Sequence, residues 1–172
     1  MNRIIFSKGD KLCSDRLSFR SIGEAELELI LHWRSQSHVY EHARNPLPPN
    51  RTEHINWYKK QLRRDDSLRM VISEINSGTD IGIVAVDYTD NWYVLSYYLG
   101  EENAQGKGYM GEALRTFLTH LSSEYGLESV KAEVTDDNLA SIALIKKLGG
   151  QQVDKECEDA KTWLHFEIPL AN

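Results

Sequence analysis

Three strand-like segments in the middle of the chain are joined by links too short for any crossover. The segments are LRMVISEI (68–75), DIGIVAVDY (80–88) and WYVLSYYLG (92–100), and the links are NSGT and TDN. A parallel connection needs a dozen or more residues, whereas antiparallel neighbours can be joined by a tight turn. The sequence therefore predicts an antiparallel meander at the centre of the fold.

The segments on either side of the meander complete the predicted order of elements. Residues 16–22 alternate as a strand, residues 24–42 have helical spacing, and Asn50 can cap a helix that carries Ile55, Tyr58 and Leu62 on one stripe. After the meander we predict a helix ending near Gly126, a strand at 129–134, a helix at 138–150, and strands at 151–156 and 162–170. This order predicts an α+β fold with a mixed, mostly antiparallel sheet and about four flanking helices. We expect one domain over residues 1–172, with residues 1–15 as an N-terminal extension.

Composition excludes several classes of protein. The 172 residues are 41% hydrophobic and 27% charged, and the net charge of −6 disfavours general nucleic-acid binding. No segment approaches the roughly 20 apolar residues that span a bilayer, and the start of the chain lacks a signal-peptide core. Cys13 and Cys157 stand far apart, so neither a disulfide framework nor a zinc site is predicted. We expect a cytoplasmic protein without nucleic-acid or membrane partners.

Residues 104–114, AQGKGYMGEAL, contain Gly106, Gly108 and Gly111 in the spacing G-x-G-x-x-G. A dinucleotide fold needs this pattern on the first tight turn of a mostly parallel sheet, but the strands that precede it here are antiparallel. A Walker loop is excluded because glycine, not serine or threonine, follows Lys107. Glycines just before a helix still let successive backbone N–H groups point at one anion. We therefore predict a phosphate site, with Lys107 or Lys147 supplying charge.

The meander, this glycine loop and the later helix opened by Asn138 together resemble the GNAT superfamily of acyl-CoA-dependent N-acyltransferases. Gln105 and Gly108 match the family signature Q/R-x-x-G-x-G/A, with Met110 where Gly or Ala is usual. The second family stretch is Asn-x-x-Ala/Ser followed by Leu-Gly-Phe. It is matched by Asn138, Ser141, Leu148 and Gly149, with Gly150 in place of the phenylalanine. The resemblance covers the chain from about Leu17 onward.

The resemblance implies acetyl-CoA as the acyl donor, bound in a V-shaped gap between strands 92–100 and 129–134. The backbone of Tyr98, Leu99 and Gly100 would pair with the pantetheine arm as an added strand. The remaining predicted cofactor-binding residues are Gln105, Gly106, Lys107, Gly108, Tyr109, Met110, Gly111, Asn138, Ser141 and Lys147. Asn138 is also a residue type that favours a helix N-cap, and both roles are compatible.

The implied reaction is attack of a neutral amine on a thioester, which requires a proton acceptor and a donor for the leaving thiolate. The family's usual tyrosine on the last helix is replaced by Ile145, and its usual glutamate before the loop by Val94. Neither assignment transfers, so Glu133 and Tyr97 on the two splayed strands are the predicted catalytic residues. A chain that has lost these residues is also compatible with a CoA-binding module without catalysis.

The acceptor side of this family is covered by the first helices and their connecting loop. The segment here is rich in aromatic and polar groups, which suit sugar rings or nucleobases. The predicted substrate-binding residues are Trp33, His54, Trp57 and Asp87. The spacing is similar to that of enzymes that acetylate nucleotide-linked amino sugars, which we prefer, and of enzymes that acetylate protein N-termini on the ribosome.

Two further expectations concern metals and assembly. His38 and His42 lie four residues apart on a predicted helix, but no third ligand is evident, so no metal is expected. Both a monomer and a homodimer are compatible with the sequence.

Overall fold

Eight strands and five α-helices make up the part of the chain that the computed structural model describes, residues 2–171. The strands are β1 (Lys11–Cys13), β2 (Leu17–Ser21), β3 (Ser67–Glu74), β4 (Asp80–Thr89), β5 (Trp92–Leu99), β6 (Ser129–Thr135), β7 (Gln151–Glu158) and β8 (Lys161–Pro169). The helices are α1 (Leu27–Arg34), α2 (Ser37–Tyr40), α3 (Arg51–Gln61), α4 (Tyr109–Tyr125) and α5 (Leu139–Lys147). No helix among the described residues is both long and apolar enough to cross a membrane.

The strands form one open sheet in the order β1-β2-β3-β4-β5-β6-β8-β7. All neighbours are antiparallel except β5 and β6, which run parallel and share a single register pair, Val94 with Lys131. Beyond that pair the two strands diverge, while the Lys131 ammonium lies 3.5 Å from the centre of the Trp92 ring at the paired end. The predicted meander and the V-shaped splay between two central strands are both confirmed.

Helices cover both faces of the sheet, and side-chain alternation assigns each strand residue to a face. The larger core lies under α4 and α5, where Phe117 and Leu121 of α4 pack on the sheet. A smaller core lies under α1 and α3 and is built around Trp33 and Tyr58. Tyr97 packs against the first core and its neighbour Tyr98 against the second, so the two phenols lie on opposite faces of β5.

The segment 24–42, predicted as one helix, is interrupted. After a one-turn 3-10 helix at Glu24–Glu26, α1 ends at Arg34, and the Ser35 hydroxyl donates to the Leu31 carbonyl over 2.7 Å. Gln36 then takes an extended conformation with ψ 137° before α2 begins. Side-chain hydrogen bonds of this kind compete with the helical ladder, which explains the break.

Residues at the two edges of the sheet complete the fold. In the segment expected to be an N-terminal extension, β1 pairs with β2 and Phe6 is 4% exposed in the main core. At the opposite edge every residue of β7 is exposed, and a bulge interrupts its register with β8 between Gln152 and Asp154.

Candidate active site

The glycine loop leads directly into the N-terminus of α4, the longest helix. Gly106 and Gly108 both have φ +75°, a left-handed conformation that favours glycine. Gly108 is the N-cap of the 17-residue helix and offers no side chain to its first amides. These amides have no intrahelical acceptor either, because the N-terminal N–H groups of a helix never do. The loop therefore presents unpaired donors at the positive end of a helix dipole, as an anion site requires.

Arg16, which sequence reasoning did not single out, holds this loop from outside. Its Nη1 donates to the Lys107 carbonyl over 2.9 Å, its Nε lies 2.7 Å from Glu112 Oε2, and its guanidinium carbon lies 4.5 Å from the centre of the Tyr109 ring. Ser14 also donates to Glu112, over 2.7 Å. The loop conformation is thus supported by groups more than ninety residues away in sequence.

The other predicted loop residues have distinct surroundings. Gln105 is extended with ψ 150°, and the Met110 side chain is buried in the main core, so only its backbone faces the loop. A Cβ at Gly111 would lie 3.4 Å from both Leu144 of α5 and Arg115, so this glycine faces the contact between α4 and α5. Lys147 lies near the far end of α5 and lines, with Arg115, a groove of about 320 Å³.

The end of β5 supplies the backbone for the predicted pantetheine site. The Gly100 N–H donates to the Ile81 carbonyl over 2.8 Å, and its own carbonyl accepts from Gln36 Nε2 over 3.3 Å. Both backbone groups of Gly100 therefore already have partners. Because successive peptide groups point to alternate sides of a strand, the Leu99 N–H points away from β4, toward the splay.

Gly100 also has a packing role, because a Cβ there would lie 2.1 Å from the Trp33 ring. Trp33 is 0% exposed and donates through Nε1 to Glu101 over 2.8 Å. The structure therefore gives this predicted substrate residue a place in the core, where it fixes α1 to the end of β5.

The start of α5 lies beside the splay. Asn138 Oδ1 accepts from the Ser141 N–H over 3.3 Å as the N-cap, and the Ser141 hydroxyl lies 2.5 Å from the Tyr97 hydroxyl. Burial raises the pKa of Tyr97 despite the Ser141 hydrogen bond, so the phenol remains protonated at neutral pH. Ile145, one turn further along α5, is fully buried, and a Cβ at Gly150 would lie 2.4 Å from its Cγ2. Two of the departures from the family pattern, Ile145 and Gly150, are thus packed against each other.

On the opposite face, a row of residues crosses the sheet beneath the loop that joins α2 to α3. Arg69 pairs with Ala85, Ala85 with Ser96, and Glu133 with His165. Ser96 and Glu133 are each two residues beyond the Val94–Lys131 pair, so they lie level across the splay. Ala85 is buried and Ser96 is exposed, and we call the part of this face formed by the row of residues the acceptor chamber.

One side of the acceptor chamber is acidic. Arg44, from the α2–α3 loop, lies 2.7 Å from Glu133, 2.7 Å from Glu156 and 2.8 Å from Glu158. Its guanidinium also lies 4.0 Å from the centre of the Trp163 ring. His165 Nδ1 is 3.4 Å from Glu133 Oε1. Glu133 therefore borders the chamber, where it is already held by Arg44 and His165.

The other side of the acceptor chamber is lined by α3 and β3. Asp87 pairs with Arg69 and accepts from the Ser67 hydroxyl over 2.5 Å. Trp57 is 46% exposed, with its ring centre 5.1 Å from the Arg69 guanidinium carbon. His54 lies on the same helix, its ring centre 5.0 Å from that of Tyr58. Three of the four predicted substrate residues, His54, Trp57 and Asp87, are thus brought together.

No metal centre is found in this region. Within residues 2–171, no group of three or more His, Cys, Asp or Glu side chains lies close enough to hold a metal ion.

Comparison with known proteins identifies the arrangement. The family model of the acetyltransferase (GNAT) domain matches residues 16–151. A curated relative, an uncharacterized protein of Methanocaldococcus jannaschii, is 26% identical over 158 residues, which are 90% of this chain and 31% of that protein. The chain thus spans about a third of the length of this relative.

Solved structures show the same fold at low identity. The spermidine N-acetyltransferase from Vibrio cholerae, in complex with CoA and spermine, has a TM-score of 0.80 at 16% identity, with 91% of this chain and 97% of that chain covered. A ribosomal L7/L12 alpha-N-protein acetyltransferase in complex with coenzyme A has a TM-score of 0.79 at 15% identity, with 94% and 98% covered.

Proposed function

Because this chain belongs to the GNAT acetyltransferase family, we propose that it transfers an acetyl group from acetyl-CoA to a primary amine. The observation that carries the proposal is the unpaired N-terminus of α4, which the glycine loop connects to β5, the first of the two splayed strands. Unpaired amides at a helix N-terminus suit a pyrophosphate, and the splay suits an extended pantetheine arm. We further propose that the acceptor is a small molecule, such as a nucleotide-linked amino sugar.

Acetyl-CoA would supply an activated acyl group as a thioester, and the residues of the chain have separate tasks around it. The amides of residues 108–111 would bind the pyrophosphate, and Asn138 and Ser141 would lie along the arm. The Leu99 N–H would stabilise negative charge that develops on the carbonyl oxygen.

Two side chains are proposed for proton transfer, one on each face of the sheet. Tyr97, which burial keeps protonated and which contacts α5 through Ser141, is proposed to protonate the leaving thiolate. Glu133 is proposed to accept the amine proton, directly or through a water. For this, one of its oxygens must be released by Arg44 or His165.

The test is acetyl-CoA turnover with a panel of amines, followed by thiol release and by the mass of the product. Acetylation of amino sugars or other small amines supports the proposal. Acetylation only of peptides with a free N-terminus would favour the ribosomal-protein type of acceptor. Tight CoA binding without turnover of any amine would favour a module that has lost catalysis, and absence of CoA binding would refute the proposal altogether.

A further inference from the structure

Arg34, the last residue of α1, is unusual among the arginines of this protein. Four arginines in the described chain are half-buried: Arg20, Arg34, Arg64 and Arg69. The other three form ion pairs with aspartate or glutamate. Arg34 has no hydrogen-bond acceptor and no carboxylate partner within residues 2–171. A guanidinium that is partly withdrawn from water without a counter-charge is a feature of anion sites.

The groups around Arg34 also lack partners. Both ring nitrogens of His54, the Nε of Arg69 and the hydroxyl of Tyr98 are buried without a hydrogen bond in the part of the chain described. Arg34 is close enough to His54 that its charge, after burial, lowers the pKa of that imidazole. Unpaired buried donors are rare because they cost free energy, so a group of them indicates a missing partner.

The missing partner must accept hydrogen bonds and carry negative charge. Burial raises the pKa of Tyr58 and of Tyr98, so both phenols are neutral donors at neutral pH. Asp87 balances Arg69, and burial keeps His54 uncharged, so the cluster retains the charge of Arg34. A phosphate or a carboxylate can accept hydrogen bonds from Arg34, from the Tyr98 hydroxyl and from the N–H of the neutral His54 ring, whereas a second cation can accept from none of them.

We propose that Arg34, His54 and Tyr98 form an oxyanion subsite that binds a phosphate or carboxylate of the acceptor. This inference rests on the proposed function, because it makes the acceptor an amine that also carries an anion. The subsite adjoins the acceptor chamber, since Tyr98 is two residues beyond Ser96 on the same face of β5. It lies on the opposite face of the sheet from α4 and α5. Trp57, which is 46% exposed, lies against Arg69 between this cluster and solvent.

The test is calorimetric binding of two probes, inorganic pyrophosphate and succinate, to protein saturated with CoA, so that the glycine loop is occupied. Arg34→Gln should weaken binding of the probe that fits by roughly ten- to a hundredfold, the value of one charge-assisted hydrogen bond. Arg34→Lys should retain most of the affinity. Arg63→Gln is the matched control, because Arg63 is an exposed arginine without an ion pair in the described chain. Thermal unfolding of each variant establishes that it is folded.

The outcomes separate this inference from the proposed function. Wild-type affinity in folded Arg34→Gln, or no binding of either probe to the wild type, overturns the subsite. An enzyme that acetylates uncharged amines as efficiently as their phosphorylated or carboxylated analogues also overturns it, while acetyl transfer stands. If Arg34→Gln loses anion binding but no amine is turned over by the wild type, the subsite stands and the proposed function fails. Pyrophosphate binding in preference to succinate identifies the acceptor's anion as a phosphate, and the reverse as a carboxylate.

Discussion

Replacement of Gly108 by valine should separate the cofactor site from the stability of the fold. Gly108 has φ +75°, and a Cβ there would lie 3.6 Å from Nη2 of Arg16, the residue that holds the loop. Left-handed backbone costs an L-residue about 1–2 kcal/mol, so a modest loss of stability is expected. If the distorted loop loses two amide–phosphate hydrogen bonds at roughly 1.5–3 kcal/mol each, affinity for acetyl-CoA falls a hundredfold or more.

Gly78 provides the matched control for this experiment. It lies in the turn between β3 and β4 with φ +69°, and a Cβ there would have no other atom within 4 Å. Gly78→Val should therefore show a similar loss of stability in thermal unfolding but bind acetyl-CoA normally in calorimetry. Normal affinity in folded Gly108→Val would refute the pyrophosphate assignment. Equal loss of affinity in both variants would show that backbone strain, and not the loop, is responsible.

Three other perturbations have defined outcomes. Tyr97→Phe should remove the alkaline limb of the pH–rate profile. Burial raises the pKa of Tyr97, so this limb should lie above about pH 10. A limb that is unchanged in the variant excludes Tyr97 as the acid. Glu133→Gln should lower turnover by roughly 10²–10⁴-fold and abolish the acid limb without changing acetyl-CoA affinity; near-normal turnover would place the base elsewhere. Hydrogen bonds from Arg20 lower the pKa of Asp80 in the folded protein. The Asp80 carboxylate therefore contributes its full stabilisation above the unfolded-state pKa of about 3.9, and this contribution is lost as the pH falls through the lower pKa of the folded state. Asp80→Asn should flatten the dependence of unfolding free energy on pH in that acidic range, whereas exposed Asp159→Asn should not.

Much of the fold could be predicted because its signals are local. Two short links specified the meander, Asn50 caps α3 through its side chain, and Gly126 ends α4 in a left-handed conformation. The glycine loop could be placed before a helix for the same reason. Each of these features depends on a few adjacent residues, whose conformational preferences can be read without knowledge of the rest of the chain.

The interactions that shape the site could not be predicted in this way. Arg16 contacts Glu112, Arg44 contacts Glu133 and Glu158, and these partners are between 89 and 114 residues apart. The residues next to an arginine in sequence do not indicate whether it will contact a carboxylate in the fold. The lack of a carboxylate partner for Arg34 could therefore not be predicted from the sequence either. The break after α1 was missed because helical periodicity continues through it, while the Ser35 hydroxyl competes for the backbone.

The single register pair between β5 and β6 has a consequence for how firmly the protein is folded. An interrupted sheet leaves peptide groups on its inner strands without hydrogen-bond partners. A bound pantetheine arm would lie between β5 and β6 like an added strand and would supply those hydrogen bonds. A ligand that binds only the native state raises the free energy of unfolding by RT ln(1 + [L]/Kd), about 2.7 kcal/mol at a hundredfold excess over Kd. The melting temperature should therefore rise with CoA concentration, and slower hydrogen exchange should be confined to the facing edges of β5 and β6. If CoA binds in this central gap as proposed, the stability of the protein rises and falls with the CoA concentration around it.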